Sequence, residues 1–341
     1  MEKFILIGVG SIGRRHLDVL KKLDRPTICV DKNDKLSKKY NTERYPNIIG
    51  FYKNINQAKI KNLKEKKSFT IIISTLGPTH LSFLDRLSSY GFKNFIIEKP
   101  VATSIFEIYK FRSLVNTRKL KIRLNLTFRY LNLKYEIEKI KKKYHLGPIK
   151  KMICYSGALD LSTCGSHLLD LALQCFESNP DGVVSNLYSD KINPRSKDLE
   201  YYEGTSIWKF DNNTEFVLSM SNSSRIKVEM VFVFENAYLV IHPNNSFNIF
   251  IIDGVINKKI YQHQPADNLI ASGKLFKDEF IPCYQIIKES IKNKQNSSDH
   301  NIAFHNAHCI IGSIISSKLN KAIKLPVPPN NILANKKFRI S

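Results

Sequence analysis

The sequence predicts an α/β protein of two domains, a doubly wound parallel sheet followed by an α/β domain with a largely antiparallel sheet. Two observations predict the first domain: apolar strands alternate with helical segments, and a glycine-rich turn separates the first strand from the first helix. The second domain is predicted by closely spaced strand-like segments with Asn, Gly and Pro turns between them. The length of 341 residues also suits two hydrophobic cores. We therefore expect domains over residues 1–120 and 121–341.

Strands and helices alternate through the first third of the chain. The strand-like runs are short and apolar, and the runs between them have the spacing of amphipathic helices. In chain order they are the strand KFILIG, the helix SIGRRHLDVLKKL, the strand PTICVD, the strand FTIIIST, the helix THLSFLDRLSSYG and the strand NFIIEKP. This alternation indicates a parallel sheet that helices cover on both faces.

The turn after the first strand, GVGSIG, carries a GxGxxG pattern at Gly8, Gly10 and Gly13. Gly8 permits a tight turn, Gly10 lets the backbone approach a pyrophosphate at the helix N-terminus, and Gly13 permits close helix–strand packing. Asp31 ends the second strand, where it would accept hydrogen bonds from the adenosine ribose. The alternative is a glycine-rich turn with a helix-capping aspartate. The strand–turn–helix context favours a dinucleotide site.

The residues around this turn bear on the choice of cofactor. Asp31 favours NAD, because a carboxylate repels the 2′-phosphate of NADP. Lys32 and Arg14 favour NADP. NAD is therefore the predicted cofactor and NADP the alternative, with Ser11 and Ile12 of the same turn as further contacts.

Two later strand ends add polar groups at the edge where a cofactor would lie. STLGPTH places Thr75 and His80 after one strand, and IIEKP places Glu98 and Lys99 after another. Ligands of open parallel sheets bind beyond the carboxyl ends of the strands, so we expect all four residues at the cofactor. The alternatives are a structural histidine in a first helical turn and an exposed lysine in a strand–helix turn. Pro100 favours an extended backbone at Lys99.

Five motifs occur in an order and at a spacing that resemble the Gfo/Idh/MocA family of oxidoreductases: GVGSIGRRHL, STLGPTHLSF, EKPVATSIFE, NLTFRY and GSHLLDLAL. The tail segment AFHNAHCIIGSIISSKLNKAIKLP is similar to the family's final helix and strand, so the resemblance spans nearly the whole chain. It implies an N-terminal Rossmann domain that binds NAD(P) and a C-terminal α/β domain with a large open mixed sheet that binds substrate. In that family the uncovered face of this mixed sheet is often the oligomer interface, so we expect a homo-oligomer, either a dimer or a tetramer.

The resemblance gives catalytic roles to Lys99 and His167, which would flank the nicotinamide and the substrate. Asp170, three residues after His167, would orient the imidazole or bond a substrate hydroxyl. The chain departs from the family at Thr163, where an aspartate is common. Threonine can hydrogen-bond a substrate hydroxyl, but it cannot accept a proton as a carboxylate does. Asp160 is a candidate substitute acid.

Arg129 lies in NLTFRY, a segment that lines the active site in the resembled family. The resemblance therefore implies that Arg129 holds the substrate or a diphosphate. An arginine at the domain junction that pairs with a carboxylate is the alternative.

Composition bears on several other function classes. The formal charge of +23 lies in lysine-rich helices with interspersed glutamates and without interleaved aromatics, so no nucleic-acid partner is expected. The six cysteines form no CxxC pair, which argues against a disulfide framework or a metal site. No apolar stretch is long enough to span a membrane. We expect no membrane insertion and a cytoplasmic location.

These observations lead to a hypothesis about function. The chain would transfer a hydride between NAD(P) and a secondary alcohol or ketone of a sugar, such as a nucleotide-sugar or a related precursor of surface glycans. His167 would remove the hydroxyl proton as a general base, and Lys99 would stabilise the developing alkoxide. The alternative is a non-catalytic dinucleotide-sensing regulator of the same fold, which Thr163 leaves open. Nucleic-acid binding driven by charge ranks third.

Overall fold

A computed structural model describes residues 2–341 except 34, 158, 190–192, 194–195, 253–266, 277–282 and 293–298. Two sheets, one of six strands and one of nine, organise the described chain. The first sheet is parallel, and the second is mixed and mostly antiparallel. The predicted α/β class is confirmed.

The first sheet has the strand order β3-β2-β1-β4-β5-β6, and all its pairings are parallel. Its strands are β1 (Lys3–Ile7), β2 (Thr27–Val30), β3 (Ile48–Tyr52), β4 (Phe69–Ile73), β5 (Asn94–Ile97) and β6 (Lys121–Leu124). The connecting helices are α1 (Ser11–Lys22), α2 (Lys35–Lys39), α3 (Gly77–Ser89) and α4 (Ile105–Arg118). The strand order reverses between β1 and β4, which is where open α/β sheets form a ligand crevice.

Burial explains why these runs become strands of a covered sheet. All residues of β2 and β4 are buried, so both faces of these strands are shielded by helices. The sixth strand pairs with β5, so the first sheet extends four residues beyond the boundary expected at residue 120. The division of the chain into two independent domains stays a prediction.

The second sheet has the order β14-β13-β12-β11-β7-β10-β9-β8-β15. The pairing of β7 with β10 is parallel, and the other pairings between described strands are antiparallel. The strands are β7 (Lys151–Gly157), β8 (Pro180–Tyr188), β9 (Glu203–Phe210), β10 (Thr214–Ser221), β11 (Glu229–Val233), β12 (Ala237–Ile241), β13 (Ser246–Ile252), β14 (Asp267–Lys274) and β15 (Ile323–Lys324).

The two faces of the nine-stranded sheet differ in burial. On the buried face Met152, Phe216 and Trp208 lie side by side across three strands, each fully shielded from solvent. The opposite face carries apolar side chains that remain half-buried or exposed. They are Ile153, Tyr155, Val184, Ile207, Val217, Val231, Val233, Tyr238, Phe250 and Leu269. We call this set the open face.

The helices of the second half are α5 (Thr127–Tyr130), α6 (Leu133–Lys143), α7 (Ser166–Phe176), α8 (Tyr284–Lys292) and α9 (His300–Leu319). One π-helical turn, Leu161–Gly165, leads into α7. A helical region is expected from the sequence over about 274–292; helix α8 confirms it over Tyr284–Lys292, whereas Lys274 is the last residue of strand β14. Residues 277–282 lie outside the described part of the chain.

After β15, residues 326–341 run back to the first sheet and end in buried positions. All six cysteines are free thiols. In the part of the chain that the structure describes, no helix combines the length and the apolar composition that crossing a membrane requires.

Candidate active site at the ends of the parallel strands

The glycine turn sits beyond the carboxyl end of β1. Gly8 has a φ of +88°, and a Cβ there would lie 2.8 Å from the Ser74 carbonyl oxygen. A Cβ on Gly13 would lie 2.1 Å from the Gly8 carbonyl oxygen, so α1 touches the turn. A Cβ on Gly10 would meet nothing within 4 Å. The turn is therefore closed against the protein at two glycines and open to a ligand at the third.

Asp31 is held against this turn. One carboxylate oxygen accepts a 2.6 Å hydrogen bond from the Val9 backbone N–H, and the other accepts one of 2.9 Å from the Asn33 backbone N–H. Lys32 and Arg14 are exposed nearby along the sequence, and Arg14 lies 3.9 Å from Asp18. The carboxylate therefore stands where the dinucleotide pattern puts a ribose, with cations beside it.

A buried polar cluster lies beneath the turn, and sequence reasoning missed it. Oε1 of Glu98 accepts hydrogen bonds of 2.7 Å from Nε2 of His16 and 2.7 Å from Nδ2 of Asn125. The cluster joins helix α1 to the ends of β5 and β6. Cys283 also belongs to it, with its Sγ 3.6 Å from Nδ2 of Asn125. Only the position of His16 three residues after the glycine pattern could have drawn attention to it.

Burial alone would lower the pKa of His16, but the Cys283 sulfur and the Glu98 carboxylate outweigh it and raise that pKa to about 10. Burial would likewise raise the pKa of Glu98, yet the hydrogen bonds from His16 and Asn125 keep it below its ordinary value. Both shifts favour an imidazolium–carboxylate pair inside the protein. The glycine helix is thus tied electrostatically to the strand that precedes Lys99.

Lys99 follows this cluster and is mostly buried, with 8% of its surface exposed. Its peptide bond to Pro100 is cis, whereas the sequence predicted only an extended backbone. Its Nζ donates to the carbonyl oxygen of Ser162, in the π-helical turn, over 3.4 Å. The lysine thus reaches from the first sheet to the second half of the chain.

His80 and Thr75 border the same region. Both ring nitrogens of His80 face backbone carbonyl oxygens, Pro100 at 2.8 Å and Thr75 at 2.9 Å. Burial lowers the pKa of His80, and these two contacts oppose the shift. The Thr75 hydroxyl shares a 2.7 Å hydrogen bond with that of Thr79. His80 therefore connects the loop after β4 to the loop after β5.

His167 lies in the first turn of α7 and is partly exposed. Its Nδ1 accepts a 3.1 Å hydrogen bond from the backbone N–H of Thr127, at the start of α5. The ring of Phe128 stands edge-on to the imidazole, with 6.4 Å between centroids. A contact that begins on the chain just after β6 therefore fixes the orientation of the imidazole.

Asp170 is fully buried and pairs with Arg129 rather than with the imidazole in its described contacts. Nη2 of Arg129 donates to Oδ1 of Asp170 over 2.6 Å, and Gln174 donates to Oδ2 over 2.9 Å. Burial raises the pKa of Asp170, and Arg129 opposes that rise. The pairing that the sequence left as an alternative for Arg129 is therefore present.

Asp160 and Thr163 cap the π-helical turn. One oxygen of Asp160 accepts from the Ser162 hydroxyl at 2.6 Å and the Thr163 backbone N–H at 3.0 Å, and the other accepts from Tyr202 N–H at 2.9 Å. The Thr163 hydroxyl donates to the Asp160 carbonyl oxygen over 3.2 Å. Burial raises the pKa of Asp160, and these bonds and Lys99 oppose the rise. Asp160 thus has a structural role in shaping the segment that Lys99 contacts.

No protein-family model and no curated protein sequence matches the chain. Solved structures share its fold. An NAD-binding protein from Listeria innocua superposes with a TM-score of 0.73 at 13% identity, covering 95% of this chain and 100% of that one. UDP-N-acetylglucosamine 3-dehydrogenase GnnA from Acidithiobacillus ferrooxidans gives 0.63 at 14% identity, covering 93% and 98%. A super-repressor mutant of Gal80p from Saccharomyces cerevisiae gives 0.72 at 8% identity, covering 95% and 97%.

At such identities the structural similarity demonstrates the fold alone, and the chemistry has to be argued from the residues of the site. The two-part architecture expected from the sequence resemblance is confirmed over nearly the whole chain. It is the architecture of NAD-binding oxidoreductases, and it also occurs in Gal80p.

The His16–Glu98 pair predicts a specific pH dependence of stability. Because the folded state raises the pKa of His16 from 6.5 to about 10, its stabilisation is complete below pH 6.5 and is lost as the pH rises towards 10. His16→Gln removes this charge, so its stability difference from the native chain should shrink between pH 6 and pH 10. Urea unfolding at a series of pH values measures it. The exposed His145→Gln should leave the pH profile unchanged, and an equal profile for both variants would refute the pairing.

The buried Arg129–Asp170 pair predicts a loss of stability when the carboxylate is neutralised. Asp170→Asn leaves Arg129, which is about a quarter exposed, without its counter-ion. We expect the free energy of unfolding to fall by about 1–3 kcal/mol, less than for a fully buried pair because water reaches the arginine. The matched change is Glu177→Gln, at the residue directly after the same helix and in an exposed pair with Lys134, and it should have no measurable effect. Equal effects would contradict the assignment.

Proposed function

We propose that this chain is an NAD(P)-dependent oxidoreductase that transfers a hydride between a nicotinamide cofactor and a secondary alcohol or ketone of a sugar. One observation carries the proposal. The amine of Lys99, at the edge of the cofactor-type sheet, bonds the segment that leads into His167, with 3.4 Å between Nζ and the Ser162 oxygen. In the proposed site, this proton-transfer group and the dinucleotide-type turn share one crevice.

The residues present fit a dinucleotide. The space at Gly10 and the N-terminus of α1 would hold the pyrophosphate, through Gly10, Ser11 and Ile12, with Arg14 beside it. Asp31 and Lys32 would meet the adenosine ribose, and the carboxylate favours NAD over NADP. Nearer the nicotinamide end, the candidate contacts are the residues after β4 and β5. They are Thr75, His80, Glu98 and Lys99.

Nicotinamide bound in this crevice would supply the hydride acceptor or donor. His167 would hold the substrate oxygen. Because the Thr127 N–H can only donate, Nδ1 of His167 must accept, and the neutral ring then carries its proton on Nε2. Nε2–H is thus suited to donate to the substrate oxygen. If the ring were protonated, Nδ1 would also carry a proton, and two N–H groups would face each other at Thr127.

Lys99 would then exchange the proton of the substrate hydroxyl. In the oxidation direction the neutral amine would take the proton from the hydroxyl oxygen while the carbon that bears this oxygen gives its hydride to the nicotinamide, and in reduction the ammonium would return the proton to the oxygen. The sequence hypothesis gave the general-base role to His167, while the sequence left open which of His167 and Lys99 finally takes the proton. The hydrogen bond at Nδ1 favours the reverse assignment, with Lys99 as base and His167 as donor.

A sugar, and specifically a nucleotide-sugar, is the proposed substrate class. UDP-N-acetylglucosamine 3-dehydrogenase shares the fold. Thr163 offers a hydroxyl where the resembled family often has a carboxylate. In the family members from surface-polysaccharide pathways, an uncharged residue often occupies this position. Arg129 would reach substrate with the nitrogens not bonded to Asp170, and Asp170 would position Arg129. The proposal includes a role in surface-glycan synthesis and a cytoplasmic location, where six thiols stay reduced.

A pairing of copies through the open face belongs to the same proposal. Its apolar side chains span eight strands of the nine-stranded sheet, and Tyr238 and Phe250 stack on it with 4.7 Å between ring centroids. An apolar surface of this kind is stabilised when a second copy covers it. A homodimer or a tetramer built on this face is expected.

A non-catalytic dinucleotide sensor is the second candidate. Two features favour it: Thr163 stands in place of a carboxylate, and the fold is similar to that of a super-repressor mutant of Gal80p. The sensor would bind NAD(H) without turning over a sugar. Turnover by the intact protein separates the two candidates.

Gly10 provides the test of cofactor binding. Gly10→Ala puts a methyl group where the chain itself has space, so the protein should fold normally while the pyrophosphate loses its close approach to the backbone. The dissociation constant of NADH, measured by fluorescence titration, should rise about ten-fold or more. Gly182→Ala, in β8, adds a methyl group 3.5 Å from the Ile323 oxygen and should leave NADH affinity unchanged. Equal NADH affinity in all three proteins would exclude a dinucleotide at this turn.

Lys99 and His167 provide the test of catalysis. With NAD⁺ and UDP-N-acetylglucosamine, or the oxidised sugar in reverse, Lys99→Ala and His167→Gln should each lower kcat about 100-fold or more. Added methylamine should restore part of the activity of Lys99→Ala, because it replaces the missing base, but none of that of His167→Gln. Rescue of neither variant would remove the base role from Lys99. The exposed Lys150→Ala serves as the control.

A further inference from the structure

Residues 326–341 form a strap that returns from the nine-stranded sheet to the parallel sheet. Its inner side chains are buried: Phe338 and Ile340 are fully shielded, and Ser341 is 5% exposed. In contrast Ile332, in the same segment, is 84% exposed. The strap therefore has one side against the protein and one side in solvent, as a packed segment does.

On the first domain, the strap is bonded to the chain that follows Lys99. The Phe338 N–H donates to the Thr103 oxygen over 2.8 Å, and the Phe106 N–H donates to the Ala334 oxygen over 3.0 Å. Lys337 pairs with Glu107 at 2.7 Å. These contacts extend along the start of α4.

The strap also binds the second half of the chain. Arg339 and Glu200 exchange two hydrogen bonds: the Glu200 N–H donates to the Arg339 oxygen over 2.7 Å, and the Arg339 N–H donates to a Glu200 carboxylate oxygen over 2.8 Å. Asp160 connects this region to the π-helical turn through Tyr202 N–H. The strap thus bridges both halves of the chain next to the site.

Its last residues reach Lys99 by two routes. A Cβ on Gly77 would lie 2.6 Å from the Ile340 oxygen and 3.1 Å from Pro100 Cγ, so Ile340 is wedged beside the proline that follows Lys99. The Ser162 hydroxyl lies 3.1 Å from the Ser341 oxygen, and the Ser162 carbonyl oxygen accepts from Lys99. The strap therefore packs against the proline that follows Lys99 and lies in contact with Ser162, whose carbonyl oxygen accepts from the Lys99 amine.

We propose that residues 338–341 form a wall of the catalytic crevice and position Lys99 through Ser162 and Pro100. The inference rests on the proposed function, because it assigns these residues to the lysine that exchanges the proton. Phe338, Ile340 and Ser341 are positioning residues: they act on the reaction through Lys99.

The position of Lys99 is measurable without any substrate. Acetylation by N-acetoxysuccinimide, followed by peptide mass spectrometry, gives the modification rate of each lysine. With the wall intact, Lys99 should react slowly compared with exposed Lys337. Ile340→Ser removes the apolar anchor of the wall and should raise the Lys99 rate about ten-fold, the effect of roughly 1.4 kcal/mol of easier opening.

Ile332→Ser is the matched control, since it makes the same change in the same strap at an exposed position. It should leave the Lys99 rate unchanged. A second variant displaces the wall without changing any of its residues. Gly77→Ala pushes a methyl group against the Ile340 oxygen and should also raise the acetylation rate of Lys99. It keeps the test decisive if Ile340→Ser fails to fold. An unchanged Lys99 rate in every folded variant would overturn the proposal.

Turnover separates positioning from simple stability. With an active sugar, Ile340→Ser should lower kcat about ten-fold or more while the dissociation constant of NADH stays within about two-fold. A loss of NADH affinity instead, with kcat retained, would refute positioning of Lys99. If the native protein turns over no sugar, the proposed function fails, but the acetylation rates still decide whether the strap walls Lys99.

Discussion

The buried hydrogen bonds among His16, Glu98 and Asn125 are the constraint on which the site depends. One carboxylate oxygen receives both donors, so helix α1 and the ends of β5 and β6 cannot move independently. The glycine turn opens α1, and Lys99 follows Glu98 directly. An ion pair taken out of water stabilises little by itself, but losing one partner leaves a buried charge that is costly. The cluster therefore fixes geometry, by relating the cofactor turn to the lysine.

The second half of the chain is aligned to this frame by contacts made across the junction. Thr127 N–H fixes the imidazole of His167, and the Arg129–Asp170 pair joins α5 to α7. Both contacts start in the short segment after β6, so the sixth strand determines where the histidine lies. The contact between Lys99 and Ser162 adds a further link between the first sheet and the turn before α7. The proposed hydride transfer would need such bracing, because small errors in the position of reacting groups reduce the rate steeply.

The sequence was sufficient for features that depend on local pattern. Apolar runs of four or five residues and the spacing of Gly8, Gly10 and Gly13 predicted the parallel sheet and its turn, because strand burial and close backbone approach leave a direct trace in residue type. His16 left no such trace, since a buried histidine within an amphipathic helix looks like any polar position. The partner of Asp170 and the path of the strap depend on tertiary contacts between distant segments. Periodicity carries no information about those.

Within this fold, the chemistry depends on few atoms. The same architecture occurs in UDP-N-acetylglucosamine 3-dehydrogenase and in Gal80p, so the fold by itself does not determine the chemistry. The separation lies in whether an amine and an imidazole N–H can meet one substrate oxygen. Here the Thr127 N–H bond at Nδ1 leaves the proton of the neutral imidazole on Nε2, and a buried lysine contacts the Ser162 carbonyl oxygen in the turn that leads into the same helix. A sensor needs neither arrangement, because a dinucleotide can be bound by the turn alone. Under the proposed function, the amine of Lys99 beside this turn serves proton transfer.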